Sequence, residues 1–230
     1  YRAARSSGFN NINLDIMHGL PEQSFAQGLD DLHQAIALSP EHLSWYQLTI
    51  EKNTVFYNSP PQLPVENILD NLFVEGLALL ERSQYYQYEV SAFAREGKYS
   101  RHNKNYWQFG DYLGIGAGAH GKITLANQQI IRRWKTRTPE DYLAKQDKVA
   151  GSQPIDRSEL ALEFMMNHLR LHEGFTKELF SQRTGLLFSD IGPKLIDLEK
   201  QELLEKVGSL YRPTAKGRLF LNNMIAHFDP

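Results

Sequence analysis

Cysteine is absent from the 230 residues. That excludes disulfides, thiolate zinc sites and any iron–sulfur cluster held by this chain's own sulfurs. No apolar run approaches the ~18 residues needed to span a bilayer, and no charged, apolar, small-residue signal opens the chain, so a cytoplasmic location is expected. A basic excess is missing too. Twenty-five Lys and Arg stand against 27 Asp and Glu, for a formal charge of -2, which gives no general electrostatic reason to bind nucleic acid or an anionic membrane. Repeats and low-complexity segments are not evident.

What is present is the composition of a folded protein: 41% hydrophobic, 23% charged and 11% aromatic residues. The length suits one large domain or two small ones without covalent staples. Two parts are expected, residues 1–150 and 151–230. The opening Tyr1 to Gly8 has no initiator Met and reads as the last turns of a helix closed by glycine, so the chain is expected to begin mid-domain.

Between Phe9 and Gly19, Ile12, Leu14 and Ile16 fall on one face and Asn11, Asn13 and Asp15 on the other, which is strand spacing. Ser24-Phe25-Ala26-Gln27 is a capping box that opens a helix with Leu29, Leu32 and Ile36, stopped by Ser39-Pro40. A second β-prone run, His42 to Glu51, completes a βαβ crossover and predicts parallel pairing. A longer helix follows with Ile68, Leu69, Leu72, Phe73, Leu77 and Leu80 at helical spacing. Tyr85 to Ala94 is ambiguous between strand and helix, and Gly97 to Gly121 reads as loops. Thr138-Pro139 starts a short helix, and Lys148 to Pro154 reads as a linker.

From Asp156 three helical patterns follow, about Arg157–Leu171, Lys177–Thr184 closed by Gly185, and Asp190–Leu203. A hairpin-like stretch, Leu204–Arg212, and a last helix after Thr214 complete a winged-helix arrangement. Its candidate recognition helix sets Lys194 and Lys200 against Asp190, Asp197, Glu199 and Glu202, a balance that repels phosphates.

Four features could carry chemistry. Asp15 ends a strand just before a glycine turn, where parallel strands present ligands. Its carboxylate can accept both hydroxyls of a ribose, or it is simply a solvated or capping aspartate. Gly116-Ala117-Gly118-Ala119-His120-Gly121 satisfies G-x-G-x-x-G. The β-prone Ile123-Thr124-Leu125 that follows is not the helix a dinucleotide loop requires, so the glycines mark either a tight turn or a close backbone approach. The segment His102-Asn103-Lys104-Asn105-Tyr106-Trp107 compresses an imidazole, two carboxamides, a phenol and an indole. It is either a metal or haem contact, with His120 nearby in sequence, or a capped loop with aromatics in the core. Arg132, Arg133, Lys135 and Arg137 could meet carboxylates such as porphyrin propionates, or form a solvated edge strand. His18, His33 and His168 show no zinc-site spacing.

At these residues the sequence resembles a known family over nearly its whole length. Gly8-Phe9 with Ile12 to Gln23 is similar to a late-barrel strand and turn of radical S-adenosylmethionine (SAM) proteins of the oxygen-independent coproporphyrinogen III oxidase group. Leu43-Ser44 with Tyr46 to Glu51, Tyr88 to Ser91, and Gly116 to His120 resemble its later motifs. His102 to Trp107 matches the H-N-x-x-Y-W pattern of its haem chaperone branch. The sequence departs from the family pattern at His18, where an aromatic is usual, at Glu22, where glycine is common, and at Gly121, where serine often follows the histidine.

The resemblance implies an α/β fold: the terminal part of an incomplete radical-SAM (β/α) barrel, then a small helical winged-helix-like domain. It implies a parent with a C-x-x-x-C-x-x-C segment before Tyr1, holding a [4Fe–4S] cluster with SAM on its unique iron. By matched position Asp15 binds the SAM ribose, and His102 is the candidate haem contact, with Asn103, Tyr106 and Trp107 shaping its surroundings. The implied function is binding haem and delivering it to haem proteins such as membrane respiratory enzymes. The rival is coproporphyrinogen III dehydrogenase chemistry, and a third reading makes the last eighty or so residues an interaction module.

Overall fold

A computed structural model describes residues 1–229, and the chain divides into two units, Tyr1–Ser100 and Arg101 onward. In the first unit α1 (Arg2–Ser6) precedes β1 (Asn13–His18), α2 (Phe25–Ala37) and β2 (His42–Gln47). The Ser24 hydroxyl and the Gln27 side chain cap each other's backbone amides, so the expected capping box starts α2. β1 and β2 pair in parallel, from Asn13 opposite His42 to His18 opposite Gln47. The crossover read from the sequence is therefore present.

A short α3 (Val55–Asn58) and the long α4 (Glu66–Arg82) follow. The ambiguous aromatic stretch resolves into two short strands, β3 (Tyr86–Gln87) and β4 (Ala92–Ala94). β4 runs antiparallel to both β2 and β3, giving a mixed sheet of order β1-β2-β4-β3. Alternation along β1 and β2 sorts the side chains. Leu14, Ile16, Leu43 and Trp45 join Leu32 and Ala35 of α2 and Leu72, Leu79 and Leu80 of α4 in one apolar core, which leaves Asn13, Asp15, His42 and Ser44 for the opposite face. The indole of Trp45 lies so close over α4 that a Cβ on Gly76 would come 2.1 Å from it. Only glycine fits beneath that ring.

Glu22 sits at φ 59°, in the left-handed region that L side chains disfavour. The departure from glycine at this position thus leaves a strained turn residue just before α2.

The second unit begins with α5 (Arg101–Trp107), where loops were expected. Phe109 at φ 55° ends it, and the Gly110 amide donates back to the Asn105 carbonyl at 2.8 Å, a closure of the kind that seals helix C-termini. β5 (His120–Thr124), β6 (Ile130–Lys135), α6 (Pro139–Ala144) and β7 (Val149–Pro154) come next. They build an antiparallel sheet of order β5-β6-β7. Two expectations are corrected by it. The basic stretch lies on the central strand, not an edge, and Lys148–Pro154 is no linker, because Val149 to Pro154 pairs with β6. The division anticipated at 150/151 falls inside β7. The glycine motif leads into β5, so it lacks the helix of a dinucleotide loop.

The rest follows the expected order: α7 (Leu160–His168), α8 (Lys177–Thr184), a 3-10 turn at Phe188–Asp190, α9 (Gly192–Lys200), the hairpin β8 (Leu204–Val207) and β9 (Leu210–Pro213), then α10 (Ala215–Leu219) and α11 (Leu221–Ala226). Gly185 closes α8 in the left-handed conformation. Phe164, Phe175, Phe180, Leu195, Leu198 and Met224 are wholly or almost wholly buried in this unit's core. Five helices, α7 to α11, and a hairpin wing form the helical module among the described residues.

Candidate functional site

Asp15 stands exposed on the polar face of β1, three residues before the strand's end. Asn13, its neighbour on that face, donates from Nδ2 to Asp15 Oδ1 at 2.9 Å. Among the described residues no other hydrogen bond reaches this carboxylate. One oxygen is oriented and the other is available to a diol.

Behind Asn13 lies buried His42, whose Nδ1 is 2.6 Å from Asn13 Oδ1 and whose Nε2 is 2.7 Å from the Tyr88 hydroxyl. Ser44 donates to the same Asn13 oxygen at 3.1 Å. Burial lowers the His42 pKa, and the negative charge of Asp15 opposes that shift. The sequence reading placed Asn13 on the polar face but gave no role to His42 or Tyr88. The matched motifs around Ser44 and Tyr88 were the signal that could have found them.

In the second unit the H-N-x-x-Y-W segment is helical, which sorts its residues by position. His102 and Tyr106, four apart, are both exposed, while Asn103 and Trp107, also four apart, are half-buried. Tyr106 packs against Trp107 and Tyr112, with ring centroids 4.9 and 5.2 Å away. Arg170 lies over the Trp107 ring at 5.2 Å, and the carbonyl of Trp107 faces the buried His168 at 3.2 Å. The inner half of α5 is therefore anchored, and its outer half presents an imidazole and a phenol. His120, exposed at the start of β5, lies beside Trp134 with centroids 6.5 Å apart.

The basic residues of β6 divide by face. Arg132 is paired with Glu163, whereas Arg133 and Lys135 line a small pocket with Tyr112, Gly114, Ala119 and Gly121. Among the described residues no group of three His, Asp or Glu side chains is placed to hold a metal ion. With no cysteine, the donors of an iron–sulfur cluster are not found in this chain. No helix is long and apolar enough to cross a membrane among the described residues.

Comparison with known proteins agrees with this architecture. The model of the HemN C-terminal domain matches residues 155–220. The solved structure titled "Coproporphyrinogen III oxidase (HemN) from Escherichia coli is a Radical SAM enzyme" superposes with a TM-score of 0.75 at 19% identity, over 99% of this chain and 57% of that one. The fold is thus the C-terminal portion of a HemN-like radical-SAM protein. The heme chaperone HemW of Escherichia coli (strain K12) is 44% identical over 228 residues, 99% of this chain and 60% of that protein. The heme chaperone HemW of Haemophilus influenzae is 43% identical over 225 residues, 98% and 58% respectively. Within the HemN-like class the chain belongs to the family of these heme chaperones, and it spans about 60% of the length of the E. coli relative.

Proposed function

We propose that this chain is part of a haem chaperone that binds haem and delivers it to haem proteins, respiratory enzymes among them, in the cytoplasm. The observation that carries the reading is the placement of the H-N-x-x-Y-W segment on α5, with His102 and Tyr106 both exposed one turn apart. An imidazole can ligate haem iron, and a phenol beside it can pack on the macrocycle or donate a hydrogen bond. Trp107 holds the helix from behind, Asn103 lies on the same half-buried side, and His120 is a secondary candidate contact. Arg133 and Lys135 offer cations suited to propionates.

In this reading Asp15 accepts the ribose hydroxyls of SAM. A [4Fe–4S] cluster, with ligands from outside these residues, supplies the redox chemistry that the family's cofactor carries. The exposed carboxylate with one oxygen oriented fits a diol. The relatives at 43% and 44% identity are named as chaperones, whereas the oxidase shares 19%. That contrast favours delivery over coproporphyrinogen oxidation.

The test is a haem titration of the full-length protein followed by absorbance. His102→Ala should lose the spectrum of a histidine-ligated haem and bind more weakly. Unchanged binding and spectrum would remove His102 as the ligand, and protoporphyrinogen formation by the reconstituted protein would decide for the oxidase. Deleting the residues from Asp156 onward tests the helical module. Haem transfer and partner association that survive the deletion would count against its role as an interaction module.

A further inference from the structure

The hydrogen bonds around Asp15 have a single direction. Asn13 Oδ1 can only accept, so the 2.6 Å contact requires His42 to donate from Nδ1. A neutral imidazole protonated at Nδ1 accepts at Nε2, so the Tyr88 hydroxyl donates there, at 2.7 Å. The Tyr88 oxygen in turn accepts from the Ser100 amide at 3.3 Å. Asn13, held by His42 and Ser44 at its oxygen, turns its Nδ2 to Asp15. The chain runs Ser100 to Tyr88 to His42 to Asn13 to Asp15, each donor directed at the next acceptor.

We propose that His42, acting through Asn13, is a positioning residue that fixes the Asp15 carboxylate for a ribose diol. The proposal rests on the ribose reading of Asp15 and goes beyond it by assigning the residues that orient that carboxylate. Asp15 is exposed on a strand and has one protein hydrogen bond, so without Asn13 its side chain would sample several rotamers and bind a diol at the cost of ordering itself. His42 is 3% exposed and locked between two partners. Its rigidity passes to the exposed residues through one amide. Ala94, opposite His42, and Ala92, opposite Ser44, carry no polar group that could compete for the imidazole. The lowered His42 pKa agrees with a neutral ring at physiological pH.

The experiment measures the SAM dissociation constant of the cluster-loaded full-length protein by calorimetric titration. Asp15→Asn is expected to weaken binding, and Asn13→Ala and His42→Leu to weaken it roughly five- to tenfold, the scale of one ordinary net hydrogen bond. His42→Asn, whose amide can replace the Nδ1 donor, should stay within about twofold of the native protein. The double variant His42→Leu/Asp15→Asn should bind no more weakly than Asp15→Asn alone, because a residue that acts through the carboxylate has nothing left to orient. Additive losses in the double variant, or native affinity in Asn13→Ala, would overturn the relay while leaving the ribose reading standing. Native affinity in Asp15→Asn would overturn the ribose reading, and the relay with it. Asn13 is exposed, so Asn13→Ala carries the test even if His42→Leu fails to fold.

Discussion

His18 shows how a buried polar side chain affects stability. It is 3% exposed, its ring lies tilted at 32° against that of Trp45 with centroids 4.3 Å apart, and among the described residues its Nδ1 has no hydrogen-bond partner. Burial pulls its pKa from 6.5 down to about 4. Above the unfolded value the ring is neutral in both states, but as pH falls below it the unfolded chain takes up a proton that the folded chain refuses. The stability contribution is present above about pH 6.5 and is lost as pH falls towards 4, on the order of 3 kcal/mol in all. Denaturant unfolding at pH 7 and pH 5 should show about 2 kcal/mol of that loss in the native protein and a flatter response in His18→Phe. The alternation that puts Ile12, Leu14 and Ile16 on one face puts His18 there too, but its ring partner Trp45 lies on another strand, and only the fold supplies it.

At the scale of elements, legibility followed the range of the forces involved. β1, α2 and β2 could be read because alternation and a capping box are signals within a few residues, and Thr138-Pro139 marked the start of α6 in the same way. α5 was missed because His, Asn and aromatic residues have weak helix propensity. It is held by long-range packing, its Trp107 meeting Arg170 and the buried His168. β7 was missed because Val149-Ala150-Gly151-Ser152-Gln153-Pro154 lacks strand-like bulk. Its partner explains the composition, since a Cβ on Gly151 would come 2.2 Å from the Trp134 ring. Packing of that kind also makes α4 vulnerable. Gly76→Ala forces the Trp45 indole or the helix to move and should destabilise by about 1–3 kcal/mol, read as a lower unfolding midpoint. The relay behind Asp15 escaped for a similar reason, as His42 lies 29 residues from Asn13 and 46 from Tyr88.

For the whole molecule, each unit has its own core, and the residues of each core all come from one side of the Ser100/Arg101 division. Hydrogen exchange should therefore resolve two sets of protected amides. Leu80→Ala is expected to raise exchange first in β1, β2 and α4, and Leu198→Ala first in α7, α9 and β8, each through a loss of about 2–5 kcal/mol. Concerted exchange across all elements in both variants would argue against separate cores. The overall class could be read from the sequence because crossover, helices and wing follow one another in chain order, whereas the boundary drawn at residue 150 cut through a strand that composition had disguised. The parallel pairing of β1 with β2 sets a further condition on the chain. A single residue removed within β1, between Asn13 and Asp15, would turn either the carboxylate or the asparagine that holds it towards the apolar core. This stretch can accept many substitutions, but it must keep its length.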